Sequence, residues 1–238
     1  MTNKSLKILA ISQVYYPDTV SVSQHLTDLL ENLAKEGHNV SVYCSRRDYE
    51  SPDIQFTKFD FIKNVKVSRI NISGFGKKNK IARLLDFVSF NLLILIKLLL
   101  LKRSDYDIII GTTAPPLLSY VGLCVARLKK IKFIYWTMDL QPELSIAANY
   151  IKEGSFVSNL LQKRGDYVFN YSDKIITLDK FMAGHIVKRI NNVSKNSDID
   201  IVPVWPVVNQ LYDGHRLHNP FRLQNHFGNK IVIMYSGN

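Results

Sequence analysis

The sequence predicts an α/β protein built on a doubly wound parallel sheet that helices cover on both faces. Short apolar runs recur along its 238 residues, at 6–11, 107–111, 132–136 and 174–178. Helical segments, with apolar side chains at intervals of three or four residues, lie between such runs. Strands that are apolar on both faces and alternate with helices favour a parallel sheet buried between two helical layers.

Each element has its own signal. The first apolar run ends at Ser12, too short for a signal peptide, so we predict a first strand in a cytoplasmic protein. Gly37 ends the first helix, which has leucines at helical spacing. Further strands are predicted at 39–44, 65–70, 107–111, 132–136, 174–178 and 200–204, and helices at 26–34, 80–103, 116–129, 155–170 and 180–189. Ligands of such sheets bind at the carboxyl ends of the strands, where we expect the site.

Composition and motifs exclude several functional classes. With 46% apolar and 21% charged residues, the chain is neither disordered nor of low complexity. Isolated Cys44 and Cys124 exclude a disulfide scaffold and are predicted to be reduced core thiols, and no histidine spacing predicts a metal. The loop at 12–21 has no glycine, which argues against a dinucleotide-binding oxidoreductase; its hydroxyl, amide and aromatic groups suit sugars.

The positive charge is concentrated around the helix at 80–103. Residues 63–103 hold ten basic residues and one acid, Asp86, and so carry +9 of the net charge of +11. A helical wheel predicts that a broad stripe faces the core: Leu84, Leu85, Val88, Leu92, Leu95, Ile96 and Leu99. The opposite sector mixes charged residues with Phe90 and Ile94, unlike an ordinary surface helix.

We predict that this helix lies in the plane of an anionic membrane. A spanning helix is less compatible with Asp86, Asn91 and Lys97, which interrupt the apolar run. The predicted membrane contacts are Lys77, Lys78, Lys80, Arg83, Phe90 and Lys97. Burial by a partner domain or subunit is the alternative. Nucleic acid is not a predicted partner, because no recognised motif accompanies the charge.

Several motifs, in their order and spacing over essentially the whole chain, resemble family 4 glycosyltransferases of the GT-B fold. They are the Lys7-Ile8-Leu9 strand, Gln13-x-Tyr15-Tyr16-Pro17-Asp18, Leu26-Thr27-Asp28-Leu29, Gly37-His38-x-Val40-x-Val42, Thr113-Ala114-Pro115-Pro116 and Met138-Asp139-Leu140-Gln141-Pro142-Glu143. The last is similar to the D-L-W-P-E signature of the subgroup that builds O-antigen, colanic acid and related surface polysaccharides, with Gln141 in place of the tryptophan.

The resemblance implies a bacterial transferase with two Rossmann-like domains facing a cleft, the first for the acceptor and the second for a nucleotide-sugar donor. The implied reaction transfers a hexosyl or N-acetylhexosaminyl group with retained configuration, without a metal or other cofactor. The implied acceptor is a polyprenyl-diphosphate-linked glycan of O-antigen, capsule or exopolysaccharide synthesis. The protein would then be peripheral on the inner face of the plasma membrane.

The resemblance also predicts the domain limits. Residues 1–205 would form the acceptor-binding domain, 206–229 an interdomain linker, and 230–238 the first strand of a truncated nucleotide-sugar-binding domain. The family's paired glutamates and phosphate-binding basic residues belong to that second domain, so we expect this stretch alone to be inactive. The residues at 19–23 also replace glycines that the family often has near the donor phosphates.

Candidate site residues follow strands or begin helices. Asp139 is the candidate catalytic residue, which would orient or deprotonate an acceptor hydroxyl or stabilise positive charge on the sugar; a helix cap is its structural alternative. The acceptor-binding candidates are Gln13, Tyr15, Tyr16, Asp18, His25, Thr112, Thr113 and Glu143. A turn packed on the sheet edge would equally use the two tyrosines, and His25 and Glu143 are also compatible with structural roles.

Two other functions stay open. One is a non-catalytic module that keeps the fold and binds a membrane or partner. The other is a nucleotide-sugar epimerase of similar two-domain architecture, against which the membrane-like helix argues because such epimerases are usually soluble.

Overall fold

Strands and helices alternate along the chain in the computed structural model, which describes residues 4–74, 80–191, 198–207 and 214–233. The strands are β1 (Lys7–Ile11), β2 (Asn39–Ser45), β3 (Phe59–Ile62), β4 (Val65–Ile70), β5 (Ile108–Thr112), β6 (Lys132–Trp136), β7 (Lys174–Thr177) and β8 (Ile199–Ile201). The helices are α1 (Ser21–Lys35), α2 (Lys80–Leu99), α3 (Leu118–Lys129), α4 (Glu143–Ala147), α5 (Phe156–Tyr171), α6 (Lys180–Arg189) and α7 (Pro220–Gln224).

The strands form one sheet with the order β3-β4-β2-β1-β5-β6-β7-β8, in which β3 alone among the described strands runs antiparallel to its neighbour. The chain moves from β1 toward one edge and then returns to place β5 on the other side of β1. The predicted doubly wound parallel sheet is therefore confirmed. The order reverses between β1 and β5, and ligands of such folds bind at this position.

Strand β3 is not predicted from the sequence. It forms a hairpin with β4 through Lys63 and Asn64, whose φ angles are 45° and 69°. A two-residue hairpin of this kind needs two consecutive residues in the left-handed region, for which asparagine and glycine are the usual signals. Lysine at the first position hides that signal.

Two apolar cores lie on opposite faces of the sheet. One joins Leu9 and Phe133 to residues of α2, α3 and α5, and the other joins Ile8 to Leu26 and Leu30 of α1. Neighbouring residues of β1 enter different cores because successive side chains of a strand point to opposite faces. Both faces of the central strands are thus covered, as their continuous apolar runs predict.

Helix α2 is rotated relative to the prediction. Its core contacts are Phe90, Ile94 and Leu98, whose side chains are fully buried. Most of the predicted core stripe is exposed instead. We call this the outward face of α2; it consists of Ile81, Leu84, Leu85, Val88, Leu92, Ile96 and Leu99, each at least 45% exposed. The wheel contained two apolar sectors, and the polar residues suggested the wrong one because their polar groups find partners inside the protein.

Two predicted membrane contacts are corrected accordingly. Phe90 is a core residue. Lys97 is turned inward, where Nζ donates to Ser68 Oγ and lies 4.3 Å from the centre of the Tyr43 ring, and its partial burial lowers its pKa. Lys77 and Lys78 lie outside the described residues, as do the side chains of Lys80 and Arg83. No helix within the described ranges is long and apolar enough to cross a membrane.

The chain divides into two compact units, Met1–Trp205 and Pro206–Asn238. In the second, the range predicted as a linker contains a 3-10 turn at Arg216–His218 and the short helix α7. Residues 230–233 are not part of a strand. Residues 234–238 lie outside the described ranges, so a strand of a further domain stays a prediction.

Candidate functional site

The candidate site lies at the carboxyl edge of the sheet, where the loops after β1, β2 and β5 meet. Gln13 connects them through its backbone: its N–H donates to the Ala114 carbonyl at 3.0 Å, and its carbonyl accepts from the Ser45 N–H at 2.9 Å. The loops after β1, β5 and β6 each contain a cis X–Pro bond, at Tyr16–Pro17, Ala114–Pro115 and Gln141–Pro142. The motifs that follow β1, β5 and β6 are therefore brought to one edge of the sheet.

A first pocket at this edge is lined by Gln13, Arg47 and, from the first turns of α2, Asp86 and Phe87. Gln13 Oε1 and Arg47 Nε are buried and have no hydrogen-bond partner among the described residues. Arg47 packs against Gly74, which has a φ of +72° and where a Cβ would lie 2.1 Å from Arg47 Nε. A buried acceptor and a buried cationic donor are thus left for a polar or anionic ligand.

A second pocket lies between the loop after β5 and helix α5. Its lining includes Thr113, Tyr120, Gln141 and Arg164, and Arg164 Nη1 donates to the Tyr120 hydroxyl at 2.9 Å. The two cavities measure about 30 and 40 Å³. A cavity of about 10–15 Å³ holds one water molecule, so each of these has room for two or three small polar groups. The edge is an open surface that holds small polar groups.

Asp139 is half-buried at the end of β6. Burial raises the pKa of its carboxyl, and the neighbouring Thr113 hydroxyl acts in the opposite direction. An elevated carboxyl pKa moves the group toward the range in which a general base is effective at neutral pH. Of the predicted residues, Gln13, Thr113 and Asp139 therefore retain the chemistry expected of a site.

Arg189, at the end of α6, fixes the segment that follows Asp139. Its guanidinium donates to the Gln141 carbonyl at 2.9 Å, to both carboxylate oxygens of Glu143 at 3.0 and 3.1 Å, and to Asp166 at 2.7 Å. Glu143 is thus held in an ion pair with Arg189, which supports the structural alternative for this residue. Gly165 in α5 is what makes room, since a Cβ there would lie 2.6 Å from Arg189 Nη2.

Three predicted acceptor-binding residues are corrected by their positions. Tyr15 is 1% exposed and belongs to the core beside α1, and Thr112 is fully buried under the loop after β5. Asp18 is also buried; its Oδ1 accepts from the Tyr49 N–H at 2.8 Å and so ties the loop after β1 to the loop after β2. Burial, assisted by Asp48, raises the pKa of Asp18 to about 7.

His25 is also corrected, because it belongs to an aromatic clasp at the end of the first unit. Its Nε2 lies 2.9 Å from the Trp205 carbonyl and its Nδ1 lies 2.8 Å from the Ser21 carbonyl. Both nitrogens therefore face protein carbonyls and not an acceptor substrate. The Trp205 indole N–H donates to Asp28 at 2.6 Å, and its ring is parallel to that of Trp136 at 6.0 Å. We call these contacts the Trp205 clasp.

Tyr16 is the remaining predicted residue, and its ring is 51% exposed at the carboxyl edge. Its carbonyl accepts from Arg69 Nη2 at 2.8 Å. Arg69 is itself buried and so contributes to folding the loop after β1, not to the surface charge. The exposed Tyr16 ring is available to stack on a ligand.

Arg47 and Arg189 are not predicted from the sequence as residues of this site. Arg47 lies in a loop without a recognised motif. For Arg189 there was a signal, since Gly165 interrupts a predicted helix where glycine costs about 1 kcal/mol relative to alanine. A glycine retained there indicates close packing by another group. Neither residue is flagged by spacing alone, because each meets the site through tertiary contacts. Within the described ranges, no group of three or more His, Cys, Asp or Glu residues could hold a metal ion.

Comparisons with known proteins agree with this architecture. The family model described as Glycosyltransferase Family 4 matches residues 22–205. Among solved structures, the catalytic domain of starch synthase IV from Arabidopsis thaliana, bound to ADP and acarbose, is similar at 13% identity and a TM-score of 0.57, over 84% of this chain and 52% of that chain. UGT89C1 from the same plant, complexed with UDP-L-rhamnose, is similar at 18% identity and a TM-score of 0.53, over 95% and 55%.

This chain therefore spans about half the length of the solved structures that it matches. At these identities the likeness shows a common fold. No curated protein matches the sequence significantly.

Proposed function

Because the chain belongs to glycosyltransferase family 4, we propose that it is the acceptor-binding half of a retaining transferase that moves a sugar from a nucleotide-sugar to a polyprenyl-diphosphate-linked glycan. The product would be a bacterial surface polysaccharide such as O-antigen, capsule or exopolysaccharide, made at the inner face of the plasma membrane. Solved structures of the same fold bind ADP or UDP-L-rhamnose, which supports a nucleotide-sugar as the donor.

The observation that carries the proposal is the first pocket. It combines the unpartnered Gln13 Oε1 and Arg47 Nε with side chains from the start of α2, whose outward face is apolar. An amide oxygen accepts from a sugar hydroxyl, and a guanidinium N–H donates to a phosphate oxygen. An acceptor that has a sugar, a diphosphate and a lipid presents a matching group to each of these chemistries.

Asp139 would serve as the group that orients or deprotonates the acceptor hydroxyl, with Tyr16 and Thr113 beside the bound glycan. Its raised pKa suits a base that takes a proton at neutral pH. We expect neither a metal nor another cofactor in the reaction. Because the cavities are small, we expect the donor to be bound by groups of a second domain. We therefore expect no transfer by the 238 residues alone.

A non-catalytic membrane-binding module on the same fold is the second candidate, because the outward face of α2 would serve it equally well. The two differ at the carboxyl edge, where only the transferase needs Arg47 and Asp139. The epimerase is disfavoured by the family match.

The test is binding of farnesyl-diphosphate-linked N-acetylglucosamine, followed by tryptophan fluorescence in detergent, with farnesyl diphosphate and free sugar as separate ligands. We expect the linked compound to bind best, and Arg47→Gln to weaken it at least tenfold. Lys188→Gln removes an exposed charge on α6 and is the matched control. Equal affinity of the parent chain and Arg47→Gln would refute the assignment of the pocket. Sugar transfer by the chain alone would show that the catalytic groups are complete within it.

A further inference from the structure

Helix α2 presents polar side chains to the protein and, beside its buried core contacts, a strip of apolar side chains to solvent. Ser73 Oγ donates to the buried Asp86 carboxylate, and Asn91 Nδ2 donates to the Pro116 carbonyl at 3.1 Å. The outward face consists of isoleucine, leucine and valine along a helix of 20 residues, about 30 Å long. Soluble monomers rarely expose an apolar strip of this extent unless it contacts a partner or a membrane.

The edge strand β3 adds two exposed aromatic rings on the same side of the sheet. Phe59 and Phe61 are 66% and 63% exposed. Phe59 pairs with Ser68 across the hairpin, and Ser68 accepts from Lys97 of α2. Because directly opposite residues of paired strands share a face, both phenylalanines project to the face on which α2 lies. Phe59 and Phe61 thus lie on the same side of the sheet as the outward face of α2.

The charges beside these apolar groups are mainly positive. Lys58 and Lys66 are exposed next to the two rings, and Lys58 Nζ lies 5.3 Å from the centre of the Phe59 ring. Lys102 and Arg103 are exposed just after α2.

The nearby acids do not cancel this charge. Asp86 is buried, and Asp60 alternates to the other face of β3, where it pairs with the buried Arg69 at 3.4 Å. Asp105 and Asp107 are exposed, and they accept from the backbone N–H groups of Lys102 and Lys7 at 2.7 and 2.8 Å. Two exposed acids therefore stand beside four exposed cations. A basic rim around an apolar strip complements an anionic lipid surface.

We propose that the outward face of α2, together with Phe59 and Phe61, is a membrane-binding surface that seats the protein in the interface of an anionic bilayer. The helix lies parallel to the membrane, its leucines enter the boundary between headgroups and acyl chains, and the lysines meet the phosphates. The side chains that would contact the membrane therefore differ from those that the helical wheel predicts. The biological purpose of this surface rests on the proposed function, but lipid binding itself does not, since it needs no sugar.

The position of α2 gives this surface a consequence for the substrate. The first turns of the helix also line the first pocket, through Asp86 and Phe87. A bilayer against the outward face would lie beside the pocket that contains Arg47. A lipid-anchored diphosphate could then reach Arg47 while its polyprenyl chain stays in the membrane.

The experiment is flotation of the 238-residue chain with vesicles of phosphatidylcholine containing 30 mol% phosphatidylglycerol, at low salt. We expect Leu84→Gln combined with Leu92→Gln to lower the partition coefficient at least tenfold, and Phe59→Ser combined with Phe61→Ser to lower it several-fold. The matched control combines Phe156→Gln with Phe181→Gln, two rings that are 82% and 72% exposed on other helices. It should bind as the parent chain does. Thermal unfolding confirms that each variant is folded.

Three results would overturn the proposal. One is binding of the folded α2 variant within twofold of the parent chain. Another is equal binding to vesicles of phosphatidylcholine alone, which would remove the anionic partner. The third is that the parent chain does not bind vesicles but forms a dimer in light scattering, and that the α2 variant does not form this dimer. The outward face would then contact a second copy. Because the vesicles carry no glycan, failure here is distinct from failure of the acceptor-binding test.

Discussion

Replacing Arg189 with alanine should destabilise the first unit. The side chain of Arg189 is 8% exposed, whereas those of Glu143 and Asp166 are 40% and 34% exposed. Removing one partner of a fully buried ion pair costs about 3–5 kcal/mol, and water can solvate part of these two carboxylates. The carbonyls of Gln141 and Gln162 would also lose a donor. We expect a loss of about 2–4 kcal/mol in the free energy of unfolding.

Urea unfolding followed by the fluorescence of Trp136 and Trp205 measures this loss. Lys188→Ala is the matched control, because this neighbouring cation is exposed on the same helix and should change stability by less than about 0.5 kcal/mol. Arg189→Lys keeps the charge but not the planar fork and should fall between the two. If Arg189→Ala unfolds within about 0.5 kcal/mol of the parent chain, the guanidinium does not hold the segment after Asp139.

Three further predictions concern the loops of the site, the first of them with a control substitution. Gly74→Ala and Gly154→Ala introduce the same backbone strain, because the φ angles are +72° and +71°, but only Gly74→Ala displaces Arg47. Both should lower the free energy of unfolding in urea by about 1 kcal/mol. Only Gly74→Ala should weaken acceptor binding. With its pKa raised to about 7, Asp18 stabilises the fold fully below about pH 4 and loses that contribution as the pH rises through 7. Asp18→Asn should therefore flatten the melting temperature between pH 4.5 and 8, a difference on the order of 2 kcal/mol once solvent screening is included, and an unchanged slope would contradict this. Tyr15→Phe should leave acceptor affinity unchanged, since its ring is in the core.

The sequence predicts the sheet well because burial on both faces leaves a continuous apolar pattern that no surface strand shares. It misses β3, whose residues are largely exposed and whose hairpin turn contains lysine in a left-handed conformation. It orients α2 wrongly because a helix with apolar residues on two sides has no unique inward face. The choice depends on where Asp86 and Lys97 find hydrogen-bond partners, and those partners come from distant parts of the chain.

The candidate site is predicted less completely for a related reason. Strand-end position leads to the loops that meet at this edge, and Gln13, Thr113 and Asp139 stay candidates there. Within a loop, however, neighbours can point to the core or to the ligand, as Tyr15 and Tyr16 do. Arg189 enters from another helix altogether, and periodicity carries no information about such contacts.

The Trp205 clasp determines the smallest piece of this chain that should fold as a stable unit. Trp205 lies beyond β8, yet its indole N–H donates to Asp28 and its ring is parallel to that of Trp136. Both the first compact unit and the family match end at this residue. A boundary drawn at the end of the sheet would leave out this tryptophan and leave His25 and Asp28 without their partner. Any swap of this domain into another protein should therefore keep residue 205 with the domain.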